Sequence, residues 1–177
     1  MKKLWMAAVS LMVALPMVGR ADVREMIVVG EMIEVNAAPA AVWKVVRDFD
    51  GLVNWLTIFQ STPLLWGSNG QVGAVRELTI KDNGPKVVEE LTAYSEERMA
   101  YTYIILDTDL PLANYQSSMS VKESARGGSV VSWIGTFKRK NARDNPAEGE
   151  SDAALAKLIS GAYQAGLTTI KQQAEGK

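Results

Sequence analysis

The hydrophobic residues of this chain alternate between two periods, and the order of those periods constrains the fold more than any other feature. After a first strand-like segment, apolar residues follow the 3.6-residue period of helices up to about residue 59. From there to residue 139 they follow the two-residue period of strands, and from residue 151 the helical period returns. Strands in one run, with the helices grouped apart from them, are typical of an α+β domain with helices on one face of an antiparallel sheet.

Turn-forming residues separate these segments and set the bounds of the predicted elements. A strand is predicted over residues 24–35, and two short helices over residues 40–48 and 52–59. The later strands are predicted over residues 62–66, 72–81, 86–94, 98–106, 113–123 and 129–139. The final helix, over residues 151–174, would be roughly 34 Å long, enough to cross a whole small domain. We therefore expect one domain, residues 22–177, in which a curved antiparallel sheet of about seven strands wraps around the C-terminal helix.

The chain of 177 residues contains no Cys and no His, which removes several kinds of chemistry. Without Cys there is no disulfide framework and no thiolate nucleophile. Without His the usual general base near pH 7 and the commonest transition-metal ligand are missing. We therefore expect no metal site and no cofactor, and the groups left for catalysis are carboxylates, Lys and Tyr.

Residues 1–21 have the features of a secretory signal peptide. Lys2 and Lys3 form a positive start, residues 4–18 are an apolar run, and the small residues Gly19 and Ala21 fit a cleavage site. The run is shorter than the ~20 residues that a membrane-spanning helix needs. We expect export to the periplasm and cleavage after Ala21, which leaves no membrane span; an uncleaved N-terminal anchor is the alternative.

After cleavage the chain would be mildly acidic. The signal segment carries three basic side chains and no acidic one, which leaves 16 basic and 20 acidic side chains and a formal charge of −4. Nucleic-acid recognition normally needs a basic surface, so we expect no nucleic-acid partner. The one basic cluster, Lys138, Arg139, Lys140 and Arg143, is followed by acidic residues, and we interpret it as a solvated loop.

Strand alternation places two charged residues on the face that should point at the final helix. Arg76 falls in the apolar row of its strand, and Glu89 falls in the apolar row of the next. A hairpin with a two-residue loop at Asp82-Asn83 sets Arg76 opposite Glu89, whereas a four-residue loop over 82–85 makes them diagonal neighbours. Either register predicts a buried ion pair, because an inward charge needs a partner.

The same alternation predicts a row of polar and aromatic side chains across the inner face. The row runs through Arg76, Glu89, Tyr103, Tyr115 or Ser117, and Trp133. Two interpretations stay open: the charged pair either orients a ligand in an apolar pocket or is a structural ion pair satisfied by tyrosine hydroxyls. Gly161 and Gly166 in the final helix indicate either close approach of the sheet or space for a guest molecule. The candidate cavity residues are Arg76, Glu89, Tyr101, Tyr103, Tyr115, Trp133, Phe137, Ile159 and Tyr163.

Several segments resemble the helix-grip superfamily that includes START domains, the birch-pollen allergen and polyketide-cyclase-like proteins (SRPBCC). The segments that carry the resemblance are 38–43 (APAAVW), 48–50 (DFD) with Trp55, 73–78 (GAVREL) and 88–91 (VEEL). The resemblance covers essentially all of the mature chain and implies a helix-grip fold. Within the superfamily, the segments similar to exported methanol-oxidation accessory proteins of the MxaD type are 101–103 (YTY), 110–115 (LPLANY), 133–137 and 151–167.

The resemblance implies an exported, non-catalytic accessory protein of methanol oxidation. Such a protein would help periplasmic methanol dehydrogenase to meet its cytochrome c partner. The alternative is a carrier or sensor that holds a small hydrophobic ligand between the sheet and the C-terminal helix. A carrier of this kind needs a cavity of at least ~300 Å³, lined by Tyr103, Tyr115, Trp133 and the final helix.

A polyketide-cyclase-like enzyme is the third hypothesis. Its acid or base would be Glu89 or a tyrosine, and acid–base catalysis near pH 7 needs a strongly shifted pKa. An Arg76 partner should lower the pKa of Glu89, which argues against this residue as a base. We therefore predict that the chain is not an enzyme.

Overall fold

The computed structural model describes residues 25–143 and 145–176, and the predicted signal peptide lies outside them. Within these residues the strands are β1 (Ile27–Val35), β2 (Phe59–Ser61), β3 (Leu64–Trp66), β4 (Val75–Ile80), β5 (Lys86–Ser95), β6 (Ala100–Thr108), β7 (Leu112–Glu123) and β8 (Ser129–Arg139). The helices are α1 (Pro39–Val46), a 3₁₀ helix (Phe49–Asn54) and α2 (Asp152–Ala174). None of these helices is both long and apolar enough to cross a lipid bilayer.

The eight described strands form one antiparallel sheet. Its order is β1-β8-β7-β6-β5-β4-β2, and β3 also pairs with β4. The long helix α2 packs against β1, β8 and α1 on the inner face of the sheet. This arrangement confirms the predicted α+β class and the helix-grip fold.

Helix α2 begins at a capped end and buries one face. The Ser151 side chain accepts a hydrogen bond from the Ala154 backbone N–H at 3.2 Å, which satisfies one of the free donors of the first turn. The buried residues of α2 are Leu155, Ile159, Tyr163, Gly166, Leu167 and Ile170. Leu158 follows the apolar spacing of the same helix, but it is 52% exposed.

The hairpin between β4 and β5 uses the two-residue loop of the two alternatives. Asp82 and Asn83 have φ angles of 60° and 55°, which a type I′ turn requires of its central residues. Arg76 therefore pairs directly with Glu89 across the two strands.

Two predicted elements differ from the structure near Pro63. The segment 62–66 was predicted as one strand, but only Leu64–Trp66 (β3) of it is a strand, and β2 ends at Ser61, because Pro63 has no N–H to donate to a ladder. The second short helix is a 3₁₀ helix that begins at Phe49 and ends before the predicted 52–59 segment does, since Phe59 already pairs with Ile80.

Two strands begin later than predicted because a turn occupies their first residues. Gly73, at φ 88°, shortens β4, and Val72, which the predicted strand included, is 57% exposed. Met99, at φ 48°, closes the turn before β6. The inward assignment of Tyr101 and Tyr103 is confirmed, since both are 3% exposed or less.

The basic cluster is not wholly a solvated loop, as the charge pattern had suggested. Arg139 ends β8 with 9% exposure, and its Nε lies 2.9 Å from Asp152 Oδ1 at the start of α2. It also donates to the Arg143 carbonyl at 2.6 Å. Lys140 donates to the Thr108 carbonyl at 3.1 Å. These contacts connect the loop to the helix and to β6.

Candidate functional site

An apolar cavity of about 120 Å³ lies between the inner face of the sheet and α2. Among the lining residues that the structure describes, Glu89 is the only charged one. The sheet and α2 supply the walls, and the segment around the 3₁₀ helix closes one side. The lining residues are Leu52, Leu56, Ile58, Phe59, Leu78, Ile80, Val87, Glu89, Tyr103, Ile105, Leu110, Leu112, Tyr115, Trp133, Leu158, Ile159, Ala162 and Tyr163.

The cavity meets the protein surface along α2. Ile58, Leu158 and Ala162 line both the cavity and an open apolar groove on the outer side of the helix. Ile58 is 41% exposed and Leu158 is 52% exposed, so neither side chain seals the cavity from solvent. We call this opening, formed by Ile58, Leu158 and Ala162, the α2 mouth. Gly161 lies in the same groove, and nothing lies within 4 Å of the position that a Cβ would take there.

A second opening lies in the sheet itself, where β6 and β7 separate. Their pairing ends at Ile104 and Gln116, and a cleft of about 300 Å³ follows between the two strand ends. Ile105, Leu112 and Tyr115 line both this cleft and the cavity. These three side chains therefore lie between the cavity and the cleft at this end of the sheet.

The charged pair at the edge of the cavity is deeply buried. Arg76 is 1% exposed, and its Nε and Nη2 lie 2.8 and 2.6 Å from the same oxygen, Glu89 Oε2. Its Nη1 donates to the Phe49 carbonyl. The guanidinium carbon lies 3.9 Å from the ring centroid of Phe49 and 5.2 Å from that of Tyr103. The arginine is therefore enclosed by partners that satisfy its charge.

The other oxygen of Glu89 has no such partner. Within the described chain, no hydrogen bond reaches Glu89 Oε1, and Glu89 itself lines the cavity. Burial raises the pKa of Glu89 above its ordinary value of 4.5, while the Arg76 charge and hydrogen bond oppose that shift. The predicted direction of this pKa was wrong, because desolvation outweighs the ion pair. The pKa argument against Glu89 as a base is removed.

A chain of hydrogen-bonded hydroxyl groups lies beside the cavity, and two of its members, Tyr115 and Tyr163, line it. Ser117 donates its one hydroxyl proton to the Ile134 carbonyl at 3.0 Å, so it can only accept from Tyr163, 2.9 Å away. Tyr163 then has no proton left for Tyr115, whose hydroxyl donates to it at 2.6 Å. The proton directions of this chain are thereby assigned, and burial raises the pKa of Tyr163 to about 12.

Trp133 connects this chain to Tyr103. Its Nε1 donates to Ser117 Oγ at 3.0 Å and to the Tyr103 hydroxyl at 3.1 Å. Burial raises the pKa of Tyr103 and of Tyr115 well above the ordinary value of 10, so both hydroxyls keep their protons. The predicted row is confirmed in outline, and Ser117 rather than Tyr115 pairs with Tyr103.

Two glycines make room for the aromatic side chains of the site. A Cβ on Gly135 would lie 2.3 Å from the Tyr163 hydroxyl, and a Cβ on Gly166 would lie 3.0 Å from the Trp133 ring. Tyr163 can therefore stack on Trp133, with ring centroids 4.1 Å apart. Close approach explains Gly166, whereas the open space around Gly161 fits the other interpretation.

The structure separates the predicted cavity residues into two groups. The residues that line the cavity are Glu89, Tyr103, Tyr115, Trp133, Ile159 and Tyr163. Arg76, Tyr101 and Phe137 are buried but do not line it. Arg76 is covered by the rings of Phe49 and Tyr103, Tyr101 packs between Trp43 and Phe49, and Phe137 stacks on Tyr115.

The predicted list of cavity residues also lacked one wall of the cavity. Leu52, Leu56, Ile58 and Phe59 form that wall, and the only signal for them was their apolar spacing in the second helical segment. The cavity does not reach the ~300 Å³ that the carrier hypothesis required, because four hydrogen-bonded aromatic side chains occupy the centre of the domain.

Most of the chain matches one known protein family. Residues 26–175 match the family described as polyketide cyclase / dehydrase and lipid transport. The chain belongs to this family. It is similar to the protein XoxI from Bacillus cereus, with 28% identity and a TM-score of 0.70 over 82% of this chain and 94% of that one.

Two further solved structures show the same fold. An uncharacterized protein from Bacillus thuringiensis is 26% identical, with a TM-score of 0.68 over 85% of this chain and 99% of that one. The Zhui aromatase/cyclase from Streptomyces sp. R1128 has a TM-score of 0.73 over 85% of this chain and 94% of that one. At 17% identity, this third likeness shows the fold alone.

Proposed function

We propose that this chain is a non-catalytic binding protein that holds a small apolar molecule between the sheet and α2. The observation that carries this proposal is the apolar cavity with its α2 mouth. A cavity of about 120 Å³ is too small for a drug-sized ligand, but an engineered apolar cavity of ~150 Å³ binds benzene, so this cavity suits a molecule of about that size. The nearby groove and the separated ends of β6 and β7 give such a molecule routes to the interior.

The hydrogen bonds of the site support a non-catalytic role. Three of its four hydroxyl groups form one network with Trp133, and the fourth, Tyr115, donates into that network. Glu89 Oε2 is held by Arg76. Most of the groups that a catalyst would need are thus engaged in holding the fold.

Binding of benzene tests this proposal. The methyl resonances of Leu78, Val87 and Ile159, followed by NMR, should shift in a saturable way as benzene is added. Ala162→Phe places a ring in the α2 mouth and should weaken binding by about tenfold or more. Ala165→Phe is the matched control, because Ala165 lines only the outer groove, and its affinity should stay within about twofold of the original. Absence of any saturable shift would contradict the proposal.

We also propose an accessory role in methanol oxidation, as a second candidate function. Support comes from the segments similar to exported accessory proteins of the MxaD type, and the similarity to XoxI at 28% identity adds to it. In this role the chain assists the encounter of methanol dehydrogenase with its cytochrome c partner. A bound apolar molecule and an accessory role are compatible in one protein.

Electron transfer measured with the purified proteins tests the accessory role. Adding this chain should increase the rate of transfer from methanol dehydrogenase to cytochrome c, and the increase should depend on salt. Trp66 is 74% exposed beside β4, and tryptophan is enriched among the residues that contribute most to protein–protein binding. Trp66→Ser should reduce the effect, whereas Met32→Ser, 72% exposed at the opposite end of the sheet, is the control. No change in rate at low or physiological ionic strength would contradict this role.

Export to the periplasm belongs to the same proposal. If residues 1–21 are a cleaved signal peptide, the full chain expressed in a Gram-negative host should accumulate in the periplasm with Asp22 as its first residue. Mass spectrometry of the intact protein measures this directly. Recovery of the whole chain from the cytoplasm would contradict export.

A further inference from the structure

Two hydrogen-bonding atoms at the cavity wall are left unused by the fold. The first is Glu89 Oε1, which accepts no hydrogen bond from the described residues although the residue is only 4% exposed. Arg76 directs both of its nearby nitrogens to Oε2, so this second oxygen is available to a molecule in the cavity.

The second atom is the hydroxyl of Tyr103, which has a proton to donate. Trp133 Nε1 donates to this oxygen, and no acceptor for its own proton lies among residues 25–143 and 145–176. Because burial raises the pKa of Tyr103 well above 10, the proton stays on the oxygen at neutral pH. Tyr103 is therefore a free donor in a wall that is otherwise apolar on this side.

The two atoms belong to neighbouring strands on the same face. Glu89 pairs with Ile105 and Leu91 pairs with Tyr103, so Glu89 and Tyr103 are diagonal neighbours across β5 and β6. Both line the cavity. An acceptor and a donor thus face the same small apolar space.

We propose that the cavity selects a small apolar molecule with one hydroxyl group, which donates to Glu89 Oε1 and accepts from the Tyr103 hydroxyl. This inference rests on the proposed binding function and adds the chemical class of the ligand. A hydroxyl is the smallest group that donates and accepts at once. A pure hydrocarbon would leave both protein atoms unpaired, and a carboxylate would be repelled by Glu89.

Paired measurements with phenol and benzene test the inference. Dissociation constants of both are measured by NMR or calorimetry for the wild-type chain and for Tyr103→Phe, which removes only the hydroxyl. We expect the wild type to favour phenol and the benzene-to-phenol ratio of dissociation constants to fall about tenfold in Tyr103→Phe. Tyr101→Phe is the matched control, because Tyr101 lies on the same strand face but outside the cavity, and it should leave the ratio unchanged.

A second measurement needs no variant. The side-chain carboxyl ¹³C resonance of Glu89 should shift on saturation with phenol and stay in place on saturation with benzene. If the wild type binds both compounds but either the ratio survives Tyr103→Phe or the carboxyl resonance does not respond, the inference is overturned and the binding function stands. If the wild type binds neither compound, the binding function itself fails.

Discussion

Arg76 and Glu89 show how one pair of residues can belong both to the fold and to a binding site. The guanidinium is saturated by Glu89 Oε2, the Phe49 carbonyl and two aromatic rings, which is the behaviour of a structural ion pair. Glu89 also lines the cavity, and its second carboxylate oxygen has no partner in the described chain. The two interpretations that the sequence left open are therefore compatible.

Removing the arginine should destabilise the domain strongly. Arg76→Met leaves the Glu89 charge buried without a partner, and we expect the free energy of unfolding to fall by about 3–5 kcal/mol. Urea unfolding followed by circular dichroism measures this loss. The double variant Arg76→Met with Glu89→Leu should recover most of it, since two apolar side chains need no compensation.

The same two strands supply the control for this experiment. Lys86 and Glu77 form an exposed pair across β4 and β5, with Nζ 2.9 Å from Oε1. Lys86→Met should cost at most about 1 kcal/mol, because water solvates the remaining carboxylate. If Arg76→Met and Lys86→Met lower the free energy of unfolding equally, burial does not make the Arg76–Glu89 pair more important for stability.

The carboxyl of Glu89 should also make stability depend on pH. Because burial raises the pKa of Glu89 in the folded state, the folded chain holds the proton more tightly than the unfolded chain. This contribution to stability is complete below the ordinary pKa of 4.5 and is lost as pH rises through the folded value. The free energy of unfolding of the wild type, relative to Glu89→Gln, should therefore decrease from about pH 4.5 upwards. Urea titrations at a series of pH values measure it, and a constant or rising difference would contradict the shift.

The sequence predicted the partner of Glu89 but not the direction of its pKa. Strand alternation identifies which residues share a face, and this was enough to pair Arg76 with Glu89. The pKa depends also on the depth of burial, which comes from side chains on β6, β8 and α2 that are distant in sequence. No local pattern contains that information.

The two glycines of α2 differ in what surrounds them. Gly166 faces the rings of Trp133 and Trp55, 3.0 and 3.2 Å from the position of an added Cβ, whereas nothing lies within 4 Å of that position at Gly161. The helix therefore uses one glycine to approach the sheet, and the other has no packing role. Sequence alone cannot distinguish them, since both are helix-interior glycines with the same intrinsic cost.

Alanine substitution at these two positions should have opposite effects. Gly166→Ala pushes against two buried indole rings and should lower the free energy of unfolding by about 1–3 kcal/mol. Gly161→Ala meets no obstacle and should raise it by about 0.4–1 kcal/mol, because alanine has fewer unfolded conformations to lose. Thermal and urea unfolding of both variants measure the difference. If both substitutions stabilise the protein, the two indole rings move to accept the added methyl group, and the prediction for Gly166 is contradicted.

Strand bounds and bulges show the limit of prediction at the level of the element. The ranges of β5, β7 and β8 agreed with the alternating pattern to within one residue, because alternation persists through each strand. The bulges between Val88 and Glu89 and between Leu91 and Ala93 were not predicted, and in the resulting register Glu89 lies opposite Ile105 and is a diagonal neighbour of Tyr103. A bulge depends on the partner strand as well as on its own sequence.

Ligand binding should be visible in the stability of the whole domain. A molecule that binds only the folded state at one hundred times its dissociation constant adds about 2.7 kcal/mol. For a domain of this size that gain raises the Tm by about 5–10 °C. Calorimetric scans with and without benzene measure the shift, and Ala162→Phe, with its affinity lowered about tenfold or more, should reduce it to about half or less at the same benzene concentration. Saturation of the site without any rise in Tm would contradict binding to the folded state.

The order of the elements, the two hydrophobic periods and the inward charges determined a large part of this protein by themselves. They predicted an α+β domain in which a sheet wraps around α2, and they placed Tyr103, Tyr115 and Trp133 inside, because alternation is a property of each strand alone. Only the tertiary structure decided the volume of the cavity, the position of the α2 mouth and the free oxygen of Glu89. Each of these depends on side chains from distant elements that share one interior, and a local pattern does not record how they fill it.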